Sequence, residues 1–144
     1  MAQVSESTAS LRIMGDDLSP AEITRLLGCE PTKGEAKGDR IVGPKTGHVR
    51  IARTGMWRLE AGRCTPENFD AQIEEILSKL NPDLDMWAML TRKYAVEIFS
   101  GLFLNESNEG FVVSAKTVRA LGERGIEIQF DIYGAVKEPG EESA

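Results

Sequence analysis

The clearest pattern in the chain lies near its end. Ile126, Ile128, Phe130 and Ile132 alternate with Glu127, Gln129, Asp131 and Tyr133. A period of two with one apolar side predicts a half-buried strand. Phe69, Ile73, Ile76, Leu77 and Leu80 keep helical spacing instead, the strongest amphipathic stripe present. Thr65-Pro66-Glu67 reads as the start of that helix and Asn81-Pro82 as its end. An earlier helix opens at Ser19-Pro20-Ala21-Glu22, a capping box with proline at the first helical position. Its stripe is Ile23, Leu26 and Leu27, and Gly28 stops it. Leu84, Trp87 and Leu90 predict a short helix within Asp83–Arg92, and Ser114 caps another that carries Val118 and Leu121 before Gly125. Leu11–Gly15, Tyr94–Leu104 and Phe111–Val113 read as further strands. Gly101 marks a bulge or bend, and Asn105–Gly110 a turn cluster.

The middle of the chain lacks such order. Residues 33–48 hold four glycines, one proline and several charges with no visible period. They read as a long mobile loop, a feature that in a compact domain is often functional. Val49–Leu59 reads as a hairpin, and the apolar pattern chooses its register. A three-residue turn, Arg53-Thr54-Gly55, pairs Ile51 with Trp57 and Val49 with Leu59, with Gly55 left-handed. Arg50 then faces Arg58 across the other side.

These elements give an α+β fold, an antiparallel sheet with about three helices packed mainly on one face. Residues 11–134 form a single domain between a disordered segment, 1–10, and an acidic flexible tail, 135–144. A faint echo sets Leu18-Ser19-Pro20 through Leu26 beside Val113-Ser114-Ala115 through Leu121. It implies two ferredoxin-like halves sharing the sheet.

Composition narrows the function classes. The chain has 144 residues, 41% hydrophobic and 28% charged, which is globular and large enough for a core without staples. Net charge is −6, which argues against nucleic acid and anionic membranes as partners. The distribution is uneven. Residues 33–58 carry seven basic side chains against Glu35 and Asp39, a local +5. No run is long and apolar enough to span a membrane, and the first residues resemble no signal peptide. Cys29 and Cys64 read as reduced cytosolic thiols, so the expected location is cytoplasmic.

Candidate chemistry is sparse. His48 is the only histidine, and it lies beside the basic loop, a poor setting for a preorganised base. One histidine and two distant cysteines supply no metal-ligand spacing, so no metal and no cofactor is expected. Asp16/Asp17, Glu74/Glu75 and Asp83/Asp85 suit capping and solvation better than shared-proton chemistry. Pro44-Lys45-Thr46-Gly47 resembles a phosphate loop in composition but lacks the spacing and the helix behind it. Trp57 and Trp87 fall on apolar faces, and Tyr133 is the one ring on a polar face, which argues against an RNA-recognition module. The sharper feature is Arg50 opposite Arg58, since like charges facing each other in a sheet destabilise it unless something offsets them.

Many of these residues together resemble a known family. Leu18-Ser19-Pro20, Ile23-Thr24, Leu27-Gly28, Pro31-Thr32, Lys37-Gly38, Trp57, Leu77, Leu80, Phe111, Ser114, Leu121 and Phe130-Asp131-Ile132-Tyr133 are similar to the bacterial domain of unknown function 4279, over about residues 11–134. The resemblance implies a small bacterial, cytoplasmic α+β domain, and it brings no activity to carry over. The function expected is a non-enzymatic binding module. Its basic loop and hairpin, residues 33–58, would contact a small anion or an acidic protein partner through Arg50, Arg58, Arg53, Lys45, Arg40 and His48. The alternatives are a small enzyme using carboxylates such as Asp16 or Asp131, and a structural homo-oligomer such as a homodimer joined by an apolar patch or a sheet edge.

Overall fold

The computed structural model describes residues 2–135. In chain order the elements are β1 (Ala2–Gln3), β2 (Glu6–Ser7), β3 (Ser10–Gly15), α1 (Pro20–Leu27), β4 (Lys33–Glu35), β5 (Arg40–Val42), β6 (Val49–Ile51), β7 (Gly55–Glu60), α2 (Phe69–Ser78), α3 (Leu84–Lys93), β8 (Ala95–Phe103), β9 (Glu109–Gly110), α4 (Ala115–Glu123) and β10 (Glu127–Tyr133). The fold is α+β. The main sheet runs β10-β8-β3-β7-β4, with β2 also pairing with β8. β10 lies parallel to β8, and every other pairing in this sheet is antiparallel. β5 and β6 form a separate two-stranded arm, and β1 pairs with β9.

Alternation in three adjacent strands builds the core. Leu11 and Ile13, Trp57 and Leu59, and Val96 and Ile98 are buried on one face of the sheet. They pack with Ile23 and Leu27 of α1, Phe69, Ile73 and Ile76 of α2, Trp87 and Leu90 of α3, and Leu121 of α4. Both indoles satisfy their N–H groups. Trp57 donates to the Thr24 hydroxyl at 3.1 Å and Trp87 to the Asn81 carbonyl at 2.8 Å. The helix limits follow their caps. Ser114 and Asp83 cap α4 and α3 through their side chains, and Gly28 ends α1 at φ +74°. Ser19 sits at the N-cap of α1 without a side-chain bond. Asn68, rather than the Thr65 region, caps α2.

Several expectations need correction. Residues 2–10 are not disordered: they supply β1, β2 and the first residue of β3, and Val4, Ser7 and Ala9 are buried. The cause is a polar lock. Ser7 donates to the Gln72 side chain at 2.8 Å, and Gln72 returns a bond to the Ser7 carbonyl at 2.9 Å. The 33–48 segment is not a loop, since β4 and β5 lie within it. The Val49–Leu59 hairpin does not form. β6 pairs with β5, while Trp57 and Leu59 pair with Ile13 and Leu11 and so join the core. Gly55 is not left-handed. It is needed because a Cβ there would stand 2.7 Å from the carbonyl oxygens of Gly15 and Leu18. Phe111–Val113 is not a strand; the short β9 precedes it.

The internal echo is reduced to a helix with serine at its N-cap position in each half, Ser19 at α1 and Ser114 at α4, and it does not extend to strand order. In the first half β7 separates β3 from β4, whereas in the second β8 and β10 are direct neighbours. The acidic tail lies outside the described residues apart from residue 135. Among the described residues no helix is long and apolar enough to cross a membrane.

Candidate functional site

The face of the sheet opposite the core is set by the residues between the apolar ones. Arg12 stands between Leu11 and Ile13, Arg58 between Trp57 and Leu59, and Glu97 between Val96 and Ile98. Strand register lines them up. Lys33 of β4 is opposite Arg58, Arg58 opposite Arg12, Arg12 opposite Glu97, and Glu97 opposite Glu127 of β10. One row across five strands thus holds three cations followed by two carboxylates.

Local partners only partly neutralise the cations. Arg58 Nη2 lies 3.1 Å from Glu60 Oε1. Arg12 Nε lies 3.8 Å from Glu97 Oε1, too far for a hydrogen bond, and its guanidinium sits 3.8 Å from the centre of the Phe99 ring. Both side chains are half-buried, and the Nε atoms of Arg12 and Arg58 are covered with no hydrogen-bond partner. Covered donors of a cation without an acceptor are costly. Beside Arg58 is an open cavity of about 420 Å³ lined also by Thr8, Ser10, Glu60, Arg63 and Phe99, the ring on which the Arg12 guanidinium lies. Arg63 is itself held by Glu6 at 2.7 Å.

The basic residues expected to act together are dispersed. Arg58 lies on the open face, as described. Arg50 projects from β6, and its Nη2 bonds both oxygens of Glu35, at 3.0 and 2.9 Å. Arg50 and Arg53 border a second cavity of about 760 Å³ with Glu35 and Met56. Arg40 faces Ile51 in the arm, and Lys45 and His48 are exposed near its tip. The structure therefore brings Arg50 and Arg53 together, separates Arg58 from them, and leaves Arg40, Lys45 and His48 in solvent.

Arg12, Glu97 and Phe99 were not among the expected site residues. The signal for the first two was present: each is a charge between two core residues in a strand, the pattern that also places Arg58. The carboxylates of the enzymatic alternative do not meet. Asp16 lies beyond one end of β3, near Lys37 at 3.5 Å. Asp131 pairs with Gly101, toward the opposite end of the sheet. It accepts a 2.6 Å bond from Tyr133, which raises the phenol's pKa above its ordinary value.

No curated protein and no solved structure matches the chain. A family model matches residues 5–135 and is described as a domain of unknown function (DUF4279).

Proposed function

The chain belongs to the DUF4279 family, whose description assigns no activity, and from that premise we propose that it is a binding module that takes an oxyanion group on its open sheet face, between Arg12 and Arg58. The observation that carries this reading is the facing pair itself. Two half-buried guanidiniums sit directly opposite each other, with Lys33 on the far side of Arg58 and with both Nε donors unpartnered. Like charges so placed oppose folding. A carboxylate or phosphate offsets the repulsion and accepts hydrogen bonds in the planar, forked geometry that arginine offers. The anion meets the Nη ends first, and a turn of either guanidinium then presents its Nε. Phe99 supplies an apolar wall for whatever carries the anion. The free thiols of Cys29 and Cys64 fit a bacterial cytoplasmic setting, which is part of the same proposal.

The test is a thermal-shift series at low salt with inorganic phosphate, acetate and a glutamate-rich peptide. Three proteins are compared: wild type, Arg12→Gln/Arg58→Gln, and Arg40→Gln/Lys45→Gln. A ligand at 100 times its dissociation constant stabilises the folded state by about 2.7 kcal/mol. The shift is expected in wild type and in the arm variant, and lost in the open-face variant. A response to phosphate or acetate alone assigns a small-molecule anion; a response to the peptide alone assigns an acidic protein. Absence of any shift, or its loss in the arm variant only, would sink the proposal.

A further inference from the structure

A separate observation concerns the outer edge of the sheet. β10 pairs with β8 on one side, and among the described residues nothing pairs with the other. The strand is seven residues long and contains neither proline nor lysine, two common protections of an exposed edge. Its apolar members reach the surface at one end: Ile132 is 61% exposed.

The backbone directions are fixed. The Tyr133 carbonyl accepts a hydrogen bond from Leu104 N, just beyond β8, at 2.9 Å. Residues alternate along a strand, so Glu127, Gln129, Asp131 and Tyr133 bond toward β8. Ile128, Phe130 and Ile132 therefore direct their N–H and C=O groups outward. We infer that this edge pairs antiparallel with the same edge of a second copy of the chain, about a two-fold axis at Phe130.

Register follows from the side chains. Centred on Phe130, the pairing uses the whole strand. Ile128 lies opposite Ile132 of the second copy, Gln129 opposite Asp131, and Glu127 opposite Tyr133. No like charges meet, and the exposed Ile132 is covered by an apolar neighbour. Centring on Gln129 would set Glu127 against Asp131, and centring on Asp131 would set that carboxylate against itself. Both are unfavourable and both shorten the overlap. Axes between residues would face outward-bonding groups with inward-bonding ones and make no ladder. The product is a continuous sheet through two copies, with both open faces on the same side and the Arg12/Arg58 pairs uncovered.

The test is analytical ultracentrifugation over a dilution series, with circular dichroism to confirm folding. The wild type is expected to move between monomer and dimer. Ile132→Lys, an exposed change, is expected to remain folded and monomeric. Gln129→Lys places a cation opposite Asp131 twice, once on each side of the axis, and is expected to tighten the dimer about fivefold. In the register centred on Gln129 the same substitution would set lysine against lysine. A wild type that is monomeric at every concentration would overturn the inference. So would a dimer that survives Ile132→Lys or one that Gln129→Lys weakens.

Discussion

The β5–β6 arm and the open sheet face are both rich in arginine, and they handle it in opposite ways. In the arm, Arg50 reaches a carboxylate that is nearly covered: the Glu35 side chain is 8% exposed, and the pair closes at 2.9 Å. On the open face, Arg58 lies between Lys33 and Arg12, and its carboxylate neighbour, Glu60, is about half exposed. The first arrangement uses arginine to neutralise a charge that burial would otherwise penalise. The second leaves cations next to one another. A local excess of positive charge along the chain therefore does not locate the free charge. Strand register does, by choosing which residues face each other.

The two regions meet at Gly55, where the chain leaves the arm and enters β7. A methyl group there would press on two backbone oxygens that cannot swing aside. Gly55→Ala is expected to cost about 3 kcal/mol, the upper range for overpacking, read from the urea midpoint. A loss below about 0.5 kcal/mol, the range of ordinary surface changes, would mean that the junction yields and that arm and sheet are not rigidly joined. The next largest effect is expected at Arg50→Ala. It leaves the Glu35 carboxylate covered and without its two bonds, a loss of about 2 kcal/mol. An unchanged midpoint would show the arm's arginine to be as dispensable as a solvated one, and the contrast between the regions would fail.

What the sequence made legible follows the length of each pattern. α1 begins at Pro20 and stops before Gly28, as its punctuation predicts, and β10 spans most of the alternating stretch. The elements missed are β1, β2, β4, β5 and β9, each of two or three residues, whereas β6 is an expected strand with β5 rather than β7 as its partner. A strand of three residues shows at most one alternation, and its stability comes from a partner far along the chain. Lys33-Gly34-Glu35 carries no apolar pattern, yet β7 holds it in place. The same long-range pairing hid the site. Arg58 was identified as a cation with a like-charged neighbour, but the neighbours are Arg12 and Lys33, not Arg50, because Trp57 pairs with Ile13 in the core and carries Arg58 with it. Nothing local to residues 49–59 encodes that choice.

The smallest expected effect is also the most discriminating, because its sign is reversed. Arg58→Met keeps an apolar stem over the sheet and removes the middle cation of the row. It loses the contact with Glu60 and relieves repulsion from both Lys33 and Arg12. A contact with a half-exposed carboxylate contributes little, whereas each facing like-charge pair opposes folding. The variant is therefore expected to gain up to about 1 kcal/mol without ligand, while Arg50→Ala loses stability. Salt separates this cause from a packing change. Screening acts on the repulsion, so the gain is expected to shrink as sodium chloride rises from about 0.01 M, where the screening length is about 30 Å, to about 1 M, where it is about 3 Å. A gain independent of salt would assign the effect to the methionine side chain. A loss would mean that the row is stabilised as it stands, and the case for an anion between Arg12 and Arg58 would fall with it.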